Sequence, residues 1–152
     1  MRVTILVPVY KVERYIAECA ESLFTQTYPD IDYIFCDDGT PDNSISVLQS
    51  VMARHPERQG RVTIITNETN KGAGATRRRL IEHVQTEAFT FVDADDCLPT
   101  TAIAALVKCM EQSGADIVDG AFANYAGGSV GAPQSPYHGS RQSYQRRMMC
   151  QN

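Results

Sequence analysis

Residues 3 to 9, Val-Thr-Ile-Leu-Val-Pro-Val, form a nearly continuous apolar run, the pattern of a strand covered on both faces within a parallel sheet. After a turn at Tyr10 to Val12, the apolar positions Ile16, Ala17, Ala20, Leu23 and Phe24 recur at helical spacing. They predict a helix from about Glu13 to Thr27 that stops before Tyr28-Pro29. A second strand is expected over Ile31 to Asp37, then a helix to about Arg54 capped by Thr40 with Pro41 in its first turn. Val62 to Thr66 reads as a third strand, and Gly72-Ala73-Gly74 opens a helix ending near Gln85. Phe89-Thr90-Phe91-Val92 reads as a fourth strand, buried, and a helix over about Thr100 to Ser113 ends at Gly114. Asp116 to Phe122 reads as a fifth strand.

Strands alternating with helices predict an α/β fold, a three-layer sandwich on a mostly parallel sheet with right-handed crossovers. In such a sheet all strands end on one edge, where open α/β folds bind ligands. That edge collects Pro8-Val9-Tyr10, Asp37-Asp38, Asn67 to Lys71 and Asp93 to Asp96. After Tyr125 the texture changes. Ala126 to Pro136 is rich in Gly, Ser and Pro, and Arg141 to Asn152 is polar and basic enough for one helical segment. We therefore expect a domain over 1–125 and a loop-rich connector over 126–152.

Composition narrows the function classes. The 152 residues carry a net charge of −4, which gives no general attraction to nucleic acid or to an anionic membrane. Five cysteines, an odd number with no C-x-x-C pair, argue against a disulfide framework or structural zinc. Buried reduced thiols and a reducing cytoplasm fit them best. The first apolar run is too short for a secretion signal, and no run approaches the ~18 residues that cross a bilayer.

The chemistry gathers at the strand ends. Asp93-Ala94-Asp95-Asp96 places three carboxylates in four positions, an arrangement of mutually repelling charges that a divalent cation would relieve. Asp37 and Asp38 either form an Asx turn before the next helix or accept hydrogen bonds from a nucleobase imide or a ribose. Asn70 to Arg79 is a helix N-terminus with small residues followed by three arginines, suited to a diphosphate or a ribose. Arg77 is the one expected to face inward. Neither a P-loop nor a G-x-G-x-x-G follows any strand. Tyr10 either stacks on a base or packs. His55, His83 and His138 show no ligand spacing.

Four of these segments in this order, Val3 to Tyr10, Cys36-Asp37-Asp38-Gly39-Thr40-Pro41-Asp42, Asn67-x-x-Asn70-Lys71-Gly72 and Val92-Asp93-Ala94-Asp95-Asp96, resemble family-2 glycosyltransferases of the GT-A fold. The resemblance covers most of residues 2 to 120. It implies an inverting transferase that takes a sugar from a nucleotide-diphosphate donor, usually a uridine one, and passes it to a carbohydrate or glycolipid acceptor in polysaccharide biosynthesis. It implies that Pro8, Val9, Tyr10 and Asp38 hold the base, with Glu13 at the nucleotide edge and Arg77 beside the nucleotide. Asp93 would meet the ribose, Ala94 would line the donor site, and Asp95 would bind Mg2+ or Mn2+ on the diphosphate. Peripheral association at the inner face of a membrane and an oligomer are compatible with it.

The chain departs from the family pattern at Thr40, where a serine is common, and at Thr76-Arg77-Arg78, where Ala-Arg-Asn is common. No general base is identifiable, Asp116 and Asp119 lying in or beside the fifth strand run. We therefore expect the donor-binding half of a longer transferase. A nucleotide-sugar-binding module without turnover, or a metal-dependent nucleotidyltransferase or phosphatase, are the competing readings.

Overall fold

A computed structural model describes residues 1–120, 123, 125–126 and 129–130. The chain divides into two compact units, residues 1–105 and 106–152. The first holds β1 (Val3–Val9), α1 (Ile16–Phe24), β2 (Ile31–Asp37), α2 (Ser44–Met52), α3 (Pro56–Gln59), β3 (Val62–Thr66), α4 (Ala73–Glu82) and β4 (Ala88–Phe91). α5 (Ala102–Ser113) runs across the division and ends at Gly114, whose φ of 64° suits a residue without Cβ.

The four strands form one sheet in the order β3-β2-β1-β4, and every pairing in it is parallel. Register follows from burial. Ile5 and Val7 stand beside Tyr33 and Phe35, while Leu6 and Pro8 stand beside Ile34 and Cys36. The first set faces α1, where the Phe24 ring meets Tyr33 edge-on at 5.1 Å and the Tyr33 hydroxyl donates to the Leu23 carbonyl at 3.0 Å. The second set faces α4, with Leu6, Ile34, Cys36 and Leu80 in one cluster. Strands covered on both faces must be apolar throughout, which is why β1 and β2 lack a polar alternation.

Several expectations are corrected. The fourth strand is not a buried one. β4 lies at an edge of the sheet among the described residues, and Phe89 is 47% exposed. Its aromatic alternation instead places Phe89 edge-on to Phe91 at 5.9 Å on one face. The first helix begins at Ile16 rather than Glu13, because the Glu13 amide is taken by the Asp42 carboxylate and Tyr15 and Ile16 both donate to the Val12 carbonyl. Thr40 is not the cap of α2. Its amide donates to Asp37 Oδ1 in an Asx turn, and the helix starts four residues later, after Asn43.

Residues 116–120 of the expected fifth strand are not extended ladder, and Ala121 and Phe122 lie outside the described residues. Within the second unit Tyr125–Ala126 (β5) pairs antiparallel with Ser129–Val130 (β6), where an unstructured loop was expected. The expected helical segment over 141–152, His138 and Cys150 lie outside the described residues. The thiol expectation is half right: Cys19 and Cys36 are buried, their thiols raised to about 12 and about 11 chiefly by burial, but Cys97 and Cys109 are exposed. Among the described residues no helix is long and apolar enough to cross a membrane.

Candidate functional site

The strand order reverses between β1 and β4, since β2 and β3 continue to one side of β1 and β4 returns to the other. A crevice opens at such a switch point, outside the carboxyl ends of the strands. Tyr10 follows β1 there and Asp93 to Asp96 follow β4; the Val92 amide still donates to the Leu6 carbonyl at 3.0 Å, so the acidic turn leaves directly from the ladder. Pro8 and Val9 close β1, Pro8 half-buried and Val9 fully buried, while Tyr10 is 38% exposed with the Lys11 ammonium 5.3 Å from its ring centre.

Asp93, Asp95 and Asp96 differ in surroundings. Asp93 Oδ1 accepts a hydrogen bond from Arg77 Nη2 at 2.5 Å, and the guanidinium also lies over the Phe91 ring at 5.9 Å. The expected inward arginine is thus placed at the strand-end edge. Asp95 is exposed and its carboxylate accepts no hydrogen bond among the described residues, whereas the neighbouring Ala94 is buried. Asp96 has its carboxyl raised above the ordinary carboxylate range, first by burial and then by the charges of Asp95 and Asp93. The three acids therefore retain an uncompensated negative field beside one cation.

The second acidic pair has a different condition. Asp37 ends β2 and turns the chain through Thr40. Asp38 is only 3% exposed. Its Oδ1 accepts from Asn67 Nδ2 at 2.7 Å and the Lys71 amide at 2.8 Å, and its Oδ2 accepts from the Gly72 amide at 3.0 Å. Burial pushes this carboxyl up, but the amides of Lys71 and Gly72 with the Asn67 and Thr76 side chains outweigh it and hold the group below its ordinary range. Asp38 thus anchors the loop between β3 and α4.

Two contributors escaped the sequence reading. Arg79 donates to the Thr66 carbonyl at 2.8 Å and to Asn67 Oδ1, tying α4 to the end of β3. Its spacing of three from buried Thr76 was the available signal. Arg78 is solvated, 81% exposed, with only a 3.8 Å approach to Glu82. The second contributor is Asp42, which binds the loop after β1 through Thr40, Ser44 and the Glu13 amide. Glu13 itself is turned to α2, accepting from the Asn43 amide at 3.1 Å and Asn43 Nδ2 at 3.2 Å.

Residues 4–152 match the model of glycosyl transferase family 2. The chain belongs to that family. It is 32% identical over 123 residues to glycosyltransferase GlyG of Streptococcus pneumoniae serotype 4, an alignment covering 81% of this chain and 40% of that protein. It is also 32% identical over 140 residues to the poly(ribitol-phosphate) beta-glucosyltransferase of Bacillus spizizenii, covering 90% of this chain and 21% of that one. The chain therefore spans less than half the length of these relatives.

Among solved structures, residues 1–349 of S. aureus TarS superpose with a TM-score of 0.68 at 24% identity, over 76% of this chain and 34% of that one. The mannosyltransferase PcManGT of Pyrobaculum calidifontis, solved with GDP-Man and Mn2+, superposes with a TM-score of 0.68 at 25% identity, over 80% of this chain and 34% of that one. The α/β architecture is that of these GT-A glycosyltransferases.

Proposed function

We propose that the chain is the donor-binding part of an inverting glycosyltransferase whose donor is a metal-bound uridine-diphosphate sugar and whose acceptor is a saccharide-type hydroxyl on a carbohydrate or glycolipid. The observation that carries this reading is the Arg77–Asp93 pair in the solvent-facing acidic turn after β4, with the exposed Tyr10 following the neighbouring strand β1, at the switch point of a parallel sheet. Pro8, Val9, Tyr10 and Asp38 would form the base side, with Glu13 at the outer edge. Asp93, held by Arg77, would accept from a ribose hydroxyl while Ala94 packs beneath the donor.

The residues present fit a divalent cation. Among the described residues no group of three or more His, Cys, Asp or Glu is arranged to hold a metal alone. Magnesium and manganese bound through one or two carboxylates, with phosphate and water completing the shell, need no such group. Asp95, exposed and without a hydrogen-bond donor, is the carboxylate for that position. When bound, the ion supplies charge stabilisation to the departing diphosphate. Transfer forms a bond from the acceptor oxygen to the anomeric carbon and breaks the bond from that carbon to the diphosphate oxygen, which keeps the electron pair. The hydroxyl proton passes to a general base. No described residue of the first unit is assigned that role, so a binding module without turnover is the second reading.

TarS has been solved with UDP-GlcNAc and PcManGT with GDP-Man and Mn2+, which supports a nucleotide-sugar donor and a metal in this reading. Association with the inner face of a membrane and an oligomer belong to it on family grounds alone. Calorimetry with uridine diphosphate, with and without manganese, tests the assignment. Metal-dependent binding that Asp95→Ala abolishes is expected, and full affinity in that variant would contradict the metal position. Turnover of a labelled donor then separates transferase from binding module.

A further inference from the structure

Three successive backbone amides in the loop after β1 are bound by side chains of the loop after β2 and of the first residue of α2. The Lys11 amide donates to Thr40 Oγ1 at 2.8 Å, the Val12 amide to Ser44 Oγ at 3.1 Å and the Glu13 amide to Asp42 Oδ2 at 3.2 Å. The first two acceptors are themselves held by the third: Thr40 Oγ1 donates to Asp42 Oδ1 at 2.8 Å, and Ser44 Oγ donates to the same Asp42 oxygen at 2.6 Å. A hydroxyl has one proton, so donating it to Asp42 leaves only lone pairs facing the Lys11 and Val12 amides. One carboxylate therefore sets the orientation of all three acceptors.

The loop needs such restraint. Lys11 has φ of 55°, left-handed backbone that a residue with a Cβ adopts at a cost. The residue before it is Tyr10, whose ring is 38% exposed just past the end of β1, and the Glu13 carboxylate returns the contact by accepting from the Asn43 amide. The Asp42 carboxyl, though pushed up by burial, is drawn down to about 2 by the Ser44 and Thr40 hydroxyls and the Ser44 and Glu13 amides, consistent with a charge that the site uses in ionised form.

We propose that Asp42 is a positioning residue for the donor's base: it fixes the loop that holds the Tyr10 ring in place, and so governs nucleotide affinity without touching the nucleotide. This rests on the donor reading above. A residue that only capped α2 would change stability and leave nucleotide affinity unmoved.

The test is a double-mutant cycle on the full chain, reading the Kd of uridine and guanosine diphosphates with manganese by calorimetry for the parent, Tyr10→Ala, Asp42→Ala and the double variant. A base stacked on an aromatic ring is worth enough for Tyr10→Ala to weaken binding about tenfold. Asp42→Ala is expected to weaken it by about as much, and the double variant by no more than about twofold beyond Tyr10→Ala, because the two act through one contact.

Unchanged affinity in Asp42→Ala, or losses that multiply in the double variant, would overturn the proposal while leaving the donor reading intact. Unchanged affinity in Tyr10→Ala, or no binding to the parent chain, would remove the donor-base reading itself and this proposal with it. Should Asp42→Ala fail to fold, the pair Thr40→Val with Ser44→Ala removes the hydroxyls and keeps the carboxylate. The same loss is expected there, and full affinity overturns the proposal.

Discussion

Arg77 and Asp93 meet across the strand-end edge at 2.5 Å, one from the first turns of α4 and the other from the turn after β4, with 41% and 48% of their side chains exposed. An ion pair this open to solvent contributes roughly 0 to 1 kcal/mol to folding, since water and salt screen it. Its geometry is therefore better explained by what it orients than by what it stabilises. The guanidinium, over the Phe91 ring, fixes one Asp93 oxygen.

Arg77→Ala is accordingly expected to lower stability by less than about 1 kcal/mol. The same variant should weaken binding of uridine diphosphate with manganese by about tenfold or more, through loss of a charge-assisted contact. Thermal melts and calorimetry on one preparation check both halves. A large drop in melting temperature with unaltered affinity would make the pair structural.

Gly39 carries a sharper stability prediction. Its φ is +66°, and a Cβ built on it would lie 2.9 Å from the Thr69 carbonyl carbon and 3.0 Å from the Asn70 amide nitrogen. These are backbone atoms, held in place by the Asp38 contacts to Lys71 and Gly72, so they have little room to give. Gly39→Ala should destabilise the fold by roughly 1 to 3 kcal/mol, combining the left-handed backbone with the clash. Chemical denaturation measures it. A change under about 0.5 kcal/mol would mean that the β3–α4 loop is not pinned as described.

The sequence made the centre of this sheet legible and its margins less so. β1 and β2 fall where the apolar runs place them, because strands covered on both faces cannot hide their composition and end in turn chemistry, and β3, at the other edge, also falls on its Val62–Thr66 run. β4 has the same aromatic and β-branched texture, yet Phe89 faces solvent, since edge position follows from strand order and strand order is not written in any single run. The acidic turn at Asp93 was readable from spacing, and Arg77 was chosen among three consecutive arginines of which a helix can turn at most one or two inward. The anchoring role of Asp38 was not, because its partners Asn67, Lys71 and Gly72 come near only once β2 and β3 are paired. The same holds for Asp42 and the amides of Lys11 to Glu13, and it explains why the expected cap at Thr40 lost to a contact across loops.

Acid should unfold this protein partly through Asp42. Its carboxyl lies at about 2 in the fold against an ordinary 3.8, so the folded state favours the ionised form. Stability from this group is then fully present above about pH 4 and is lost as pH falls towards 2, where the unfolded chain binds the proton first. Asp42→Asn should lower stability at neutral pH and flatten the decline between about pH 4 and pH 2. Denaturant midpoints measured across that window decide it, and parallel curves for parent and variant would assign the acid sensitivity to other carboxylates.

Asp96 should behave in the opposite sense. Its carboxyl is raised by burial and by Asp95 and Asp93, so ionising it in the fold costs free energy that the unfolded chain does not incur. That cost is absent at low pH and grows as pH rises past the ordinary carboxylate range towards neutrality. Asp96→Asn removes the charge and leaves in place the backbone bond from its amide to the Asp93 carbonyl. The variant should therefore be slightly more stable than the parent at neutral pH without divalent metal, by no more than a few tenths of a kcal/mol because Asp96 is exposed and water screens the repulsion, with the difference vanishing near pH 3. Manganese should narrow the gap, because a cation at Asp95 relieves in the parent the repulsion that the variant has already lost. Melting temperatures of both proteins with and without manganese give the answer. If metal stabilises the variant as strongly as the parent, the three acids do not share one field.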